Sequence, residues 1–228
     1  TNDLTYVAPV ARIGLCSARL HAGRSPYSRS QISIWERTLE KLRFDAILHS
    51  MRSRYKIVEP DGLYFLTCTI VDWIPVFQSH PYFDIITNSL TFCRANKGMR
   101  LYAYVIMENH LHLIAGAPDL SGVIRAFKGF TAREIVAMAE STGRSGLLNE
   151  FMKHKKRYKE NSQFQIWQEG AHPQIIRDDD TLNQKIEYIH NNPVRRGYVD
   201  APEHWRYSSA RNYYSNDHSV MEIDALPT

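Results

Sequence analysis

Residues 100–116, RLYAYVIMENHLHLIAG, decide the fold. An apolar run rich in aromatic and β-branched residues covers 100–107, Glu108 and Asn109 interrupt it, and a second apolar run starts at His110. Two such runs across a two-residue break predict an antiparallel hairpin. Side chains at i and i+2 of a strand share a face, so His110 and His112 project together while Leu111 and Leu113 point the other way. Two imidazoles side by side make two ligands for one divalent ion and leave positions for a third side chain, water or a substrate oxygen.

On the N-terminal side, residues 62–71 (GLYFLTCTIV) predict a buried strand closed by Asp72, Trp73 and Pro75, and residues 81–96 a helix that stops near Gly98. On the C-terminal side, Ser121 caps a predicted helix over 122–141, and residues 144–160 predict a polar connection. Residues 164–168 and 174–177 predict short strands, and 181–191 a helix ended by Pro193. The order strand, helix, strand, strand, helix, strand is that of an α+β, ferredoxin-like split βαβ unit: an antiparallel sheet with helices on one face, here with N-terminal and C-terminal extensions.

Residues 1–30 mix Pro, Gly, Ser and Arg without an apolar period and predict a basic arm. Ser33 and Glu36 fit a capping box that opens a helix to about residue 50. The expected organisation is residues 1–50 as arm and helix, 51–214 as the folded core, and 215–228 as a tail whose neighbours Trp205, Tyr207, Tyr213 and Tyr214 pack back on the body. The 228 residues are 43% hydrophobic with a formal net charge of +4 and a pI near 8.9, which permits a nucleic-acid partner without requiring one. Cys16, Cys68 and Cys93 have no CxxC spacing, which argues against a disulfide scaffold. No stretch approaches the ~20 apolar residues of a membrane span, and no secretory pattern is present. A cytoplasmic protein is expected.

The predicted 122–141 helix supplies a candidate third ligand. Phe130 and Glu134 stand four apart and share a helical face, and a carboxylate suits Mg²⁺ or Mn²⁺. Two imidazoles and a carboxylate can polarise a phosphate oxygen, or with zinc activate water against a small phosphoester.

Residues 104–113 (YVIMENHLHL), followed by 127–134 (FKGFTARE), resemble the core of the single-tyrosine HUH transposases, specifically the IS200-like REP-associated tyrosine transposases. Further blocks continue the resemblance in order: Trp167-Gln168-Glu169-Gly170 with His172-Pro173, residues 175–179, residues 188–194 (YIHNNPV) and residues 205–209 (WRYSS). The resemblance spans residues 52–214. It implies a metal-dependent endonuclease that binds hairpin-forming single-stranded DNA of the REP type. A helix tyrosine in that family attacks the scissile phosphate to give a 5′-phosphotyrosine and a free 3′-hydroxyl, and the third metal ligand lies one turn beyond the tyrosine.

Carried onto this sequence, the resemblance makes His110, His112 and Glu134 the ligands of Mg²⁺ or Mn²⁺ and puts Phe130 at the nucleophile position. Phenyl lacks the attacking oxygen, so cleavage deficiency is expected. Two accounts of it stand, a Tyr-to-Phe change introduced to hold an uncleaved complex and a naturally non-catalytic hairpin-binding repressor or architectural protein. A substitute nucleophile such as Tyr158 is a third. The family resemblance also implies a self-contained monomer, with a dimer not excluded.

Candidate DNA contacts are Arg52, Arg54 and Lys56 before the first strand, Lys128 and Arg133 beside Phe130, and Lys153, Lys155, Lys156 and Arg157 in a segment (144–160) with six basic residues against two acidic ones. Trp167, His172 and Arg177 are candidates for base contact, with core packing the competing role for Trp167. Asn191, Asn192, Arg195 and Arg196 close the list at a helix end, where the asparagines also suit capping. Gly129 inside a helix fits either a close DNA backbone or a tight helix–sheet contact.

Overall fold

The computed structural model describes residues 56–156 and 162–226, all within the unit Ser50–Thr228. The expected basic arm and helix of residues 1–50, with Arg52, Arg54, Arg157 and Tyr158, lie outside the described residues.

Four strands, β1 (Leu63–Thr69), β2 (Arg100–Ile106), β3 (His110–Gly116) and β4 (Gln174–Ile176), form one sheet in the order β2-β3-β1-β4, with every pairing antiparallel. Helix α1 (His80–Asn96) joins β1 to β2 and helix α2 (Leu120–Ser141) leads out of β3, so the βαββαβ order and the strand order are those of the ferredoxin-like unit expected. Asp119, and not the expected Ser121, caps α2 by accepting from the Gly122 N–H, which places Ser121 inside the helix.

Strand alternation divides the side chains between two faces. Leu66, Cys68, Leu111, Leu113, Tyr104 and Ile106 meet the apolar sides of α1 and α2 in one core. Phe65, Val105, Ala103 and Ile114 meet Leu182, Ile186 and Ile189 of helix α4 (Asp179–Arg195) in a second core on the opposite face. Helices therefore cover both faces of the sheet: the ferredoxin-like pair sits on one, and the C-terminal extension adds α4 to the other.

Three further local expectations change. Residues 144–160 contain a helix, α3 (Ser145–Lys153), anchored by the buried Phe151. Pro193 does not end α4 at residue 191, because α4 runs through it to Arg195. The expected strand at 164–168 reduces to one bridge between Trp167 and Ile70. The tail packs back as expected. The backbones of residues 207–209 bond along the free edge of β2, and Asp224 takes both the Leu101 N–H (2.7 Å) and the Arg94 guanidinium (2.9 Å), so the edge strand is covered. A last helix, α5 (Ala210–Ser215), belongs to this segment.

Candidate functional site: a histidine pair under a tyrosine helix

The pairing register puts Thr69 opposite His110, Thr67 opposite His112, and Phe65 opposite Ile114, all on the face that α4 covers. His110 and His112 are 3% and 5% exposed, with ring centroids 4.9 Å apart. Each Nδ1 is engaged: His110 with Asn109 Oδ1 at 2.7 Å, His112 with Thr67 Oγ1 at 2.8 Å. Burial, with Arg196 nearby, pushes the His110 pKa down to about 3. Burial, then His110, Lys185 and Arg196, holds His112 well below the ordinary imidazole range. Both rings are thus neutral at physiological pH with their Nδ1 sides occupied, and the donor chemistry fits a divalent cation through Nε2.

Helix α4 runs across this face in step with β3. The Lys185 ammonium lies 4.8 Å over the Phe65 ring, at the level of Ile114. Tyr188, one turn on, sets its ring 5.2 Å from His112 and 5.9 Å from Phe65, both edge-on. Arg195 lies 5.7 Å over that same tyrosine ring. Arg196 reaches Glu108 Oε1 at 3.4 Å, just before His110 in the hairpin. Asn192, four residues beyond Tyr188 and buried, falls on the turn between Tyr188 and Arg196. Tyr188 is 36% exposed, so the residue reaches the surface.

Phe130 and Glu134 are not brought to the histidines. They sit on α2, whose apolar side packs on the Leu111 and Leu113 face, and they line a groove with Pro81, Asp84, Asn88 and Met138 between α1 and α2. The sheet separates them from His110 and His112. Among the described residues no group of three His, Cys, Asp or Glu side chains is close enough to hold a metal ion. The assignment of Phe130 as the nucleophile position and Glu134 as third ligand is therefore corrected: the helix that faces the histidines is α4, and it carries a tyrosine.

The expected DNA contacts scatter. Arg195, Arg196 and Asn192 join the histidine site, and Asn191, beside them, donates to the Glu187 carbonyl (3.1 Å). Lys128 is on the α2 side, with its amine on the Gln168 and Gly170 carbonyls at 2.5 and 2.6 Å. It lines a cleft of about 700 Å³ together with Lys56, Arg125 and the backbone turn around Gln168. Lys153 pairs with Glu150 and Lys156 with Glu169, while Lys155 is half-buried. Arg177 pairs with Glu59. Arg133 stays exposed on α2. His172 adopts a left-handed backbone (φ 42°). Trp167 is core, 5% exposed, its indole N–H donating to Thr131 Oγ1 at 3.0 Å. A Cβ on Gly129 would meet only the Arg133 guanidinium at 3.9 Å, so a tight helix–sheet contact does not explain that glycine.

Sequence inspection missed Tyr188 and Lys185. The signal was available: Tyr188 and Asn192 repeat the four-residue spacing that drew attention to Phe130 and Glu134.

The fold and site define an α+β protein of ferredoxin-like topology that presents two neutral histidines and a tyrosine on one sheet face. No family model matches the chain. It is 26% identical over 148 residues to a Haemophilus influenzae protein named as a REP-associated tyrosine transposase, covering 65% of this chain and 79% of that one. A second, uncharacterized H. influenzae protein is 26% identical over 173 residues, 67% of this chain and 93% of its own length. The solved structure of a REP-associated tyrosine transposase bound to a REP hairpin superposes with a TM-score of 0.52 at 19% identity, covering 77% of this chain and 92% of that one. The chain is thus similar in sequence to a protein named as a REP-associated tyrosine transposase and similar in fold to a solved one. Among the described residues no helix is long and apolar enough to cross a membrane.

Proposed function

We propose that the chain is a DNA strand transferase that binds hairpin-forming single-stranded DNA of the REP type and cleaves and rejoins it with Tyr188 as the nucleophile. The observation that carries this is the Tyr188 ring against His112 on the face opposite Phe130. The phenol oxygen of Tyr188 attacks the scissile phosphorus. The Tyr188 Oη–P bond forms as the P–O3′ bond breaks; the phenolic proton passes to solvent, and the departing 3′ oxygen takes one up. The 5′ end is left on Tyr188 beside a free 3′-hydroxyl, and attack by a second 3′-hydroxyl reverses the step without a nucleotide cofactor.

Lys185, Arg195 and Arg196 ring the same spot and neutralise the phosphate as it arrives. His110 and His112 through Nε2, with the Asn192 amide oxygen one turn beyond Tyr188, would hold Mg²⁺ or Mn²⁺. Such an ion, when bound, polarises a non-bridging phosphate oxygen. Histidines and tyrosine come from one chain, which supports action as a monomer. The non-catalytic alternative rested on the phenylalanine at 130, and with Tyr188 at the histidines that support is gone.

The test is covalent capture. The chain is incubated with hairpin-bearing single-stranded DNA and Mn²⁺, and adducts are resolved on a denaturing gel. The unmodified sequence forms a phosphotyrosine adduct, Tyr188→Phe loses it, and Phe130→Tyr leaves it unchanged. An adduct that survives Tyr188→Phe, or that arises only in Phe130→Tyr, overturns the assignment.

A further inference from the structure

We propose that Asn109 is a positioning residue that locks His110 into the tautomer with a free Nε2; this rests on the metal-assisted reading above. The Asn109 side chain is 8% exposed and makes two contacts of opposite sense. Its Nδ2 donates to the Trp73 carbonyl at 3.1 Å. A carbonyl oxygen only accepts, so the amide NH₂ is fixed at Trp73 and the amide oxygen is turned to His110. That oxygen lies 2.7 Å from His110 Nδ1. An amide oxygen cannot donate, so Nδ1 carries the hydrogen and Nε2 is the unprotonated, ligating nitrogen.

The anchor for this lock is itself unusual. Asp72 and Trp73 are consecutive non-glycine residues in the left-handed region, φ 49° and 59°, a conformation that costs energy and persists only where its surroundings enforce it. The Trp73 ring lies edge-on to His110, 5.6 Å between centroids. Asn109 thus ties a strained loop after β1 to the first ligand of β3, and its own carbonyl accepts from the Ile70 N–H at 2.9 Å. His112 has no equivalent constraint. Its partner, the Thr67 hydroxyl, can give or take a hydrogen bond, so Thr67 orients the ring without dictating its tautomer.

Two substitutions separate this role from simple support of the loop. Asn109→Asp keeps an acceptor toward Nδ1 but loses the donor to the Trp73 carbonyl. Asn109→Leu loses both. In the full chain without DNA, Mn²⁺ binding followed by electron paramagnetic resonance should weaken on the order of 10- to 100-fold in Asn109→Leu and be held or tightened in Asn109→Asp. Long-range ¹H–¹⁵N spectra of metal-free protein should show His110 protonated at Nδ1 in the unmodified sequence and Asn109→Asp, and mixed in Asn109→Leu.

Equal loss of Mn²⁺ affinity in both variants overturns the proposal, since loop support alone would fail in both. So does a His110 protonated at Nε2 in the unmodified sequence. If Asn109→Leu does not fold, that spectrum and the Asn109→Asp titration still decide. An unmodified chain that binds no Mn²⁺ would remove the metal reading, while the metal-free tautomer would still judge Asn109.

Discussion

His190 on α4 probes how the C-terminal segment is held. Its imidazole is fully buried, with Nε2 2.9 Å from Ser209 Oγ, and that hydroxyl also meets the Tyr104 N–H at 2.9 Å and the Tyr104 carbonyl at 3.2 Å. The Tyr213 and Tyr214 rings close around it, 4.9 and 5.5 Å away. Burial pushes its pKa from 6.5 down to about 4. Between these values the unfolded chain binds a proton that the folded chain refuses, so stability falls as the pH drops through that window. Each pH unit inside it costs about 1.4 kcal/mol, which makes the loss about 2 kcal/mol at pH 5. His110 and His112 shift in the same direction and steepen the total dependence. The perturbation is His190→Gln, which keeps an amide donor for Ser209 and removes one titrating group. Urea unfolding followed by tryptophan fluorescence, in chelator so that metal does not mask the other two histidines, should give a slope with pH shallower by about 1.4 kcal/mol per unit between pH 4.5 and 6. Parallel loss of stability in the two proteins over that range would refute the argument.

The core role of Trp167 makes a second prediction. Thr131 is fully buried, its hydroxyl donating to the Phe127 carbonyl at 2.8 Å and accepting from the Trp167 indole. Thr131→Val strands that indole N–H and should cost about 1–3 kcal/mol in urea unfolding, with hairpin DNA affinity unchanged for folded protein. Weakened DNA binding without lost stability would return Trp167 to the DNA surface. Lys185→Met removes a charge beside Tyr188 and should weaken binding uniformly across hairpin sequences. The slope of log affinity against log salt should fall by about one; an unchanged slope would place Lys185 off the phosphate path.

The strands and main helices of the ferredoxin-like unit were legible because their signals are local. Residues 100–116 hold two apolar runs rich in aromatic and β-branched residues across a two-residue break, buried along almost their whole length, and α1 and α2 carry apolar residues at helical spacing. What escaped was decided by tertiary contact. Helix α3 has one buried residue, Phe151, in a segment dominated by charge, so its pattern reads as polar connection. Pro193 looked like a helix stop because a proline removes one N–H. Buried in the packed α4, it costs that bond and the helix still continues to Arg195.

The site shows the same division more sharply. Parity along β3 put His110 and His112 on one face from sequence alone, and the structure keeps them there. Which helix covers that face is a question of topology. Two helices follow β3 with an aromatic residue and a potential ligand four apart, Phe130 with Glu134 and Tyr188 with Asn192, and spacing cannot choose between them. The sheet can. In the split βαβ unit, α1 and α2 pack on the face of Leu111 and Leu113, so any residue on α2 is separated from the histidines by the sheet itself. A helix that meets the His110 and His112 face of β3 must come from an element added outside that unit, and the chain adds one, α4. The nearer candidate is excluded by its place in the connectivity, so the missing oxygen at Phe130 says nothing about the face that carries His110 and His112.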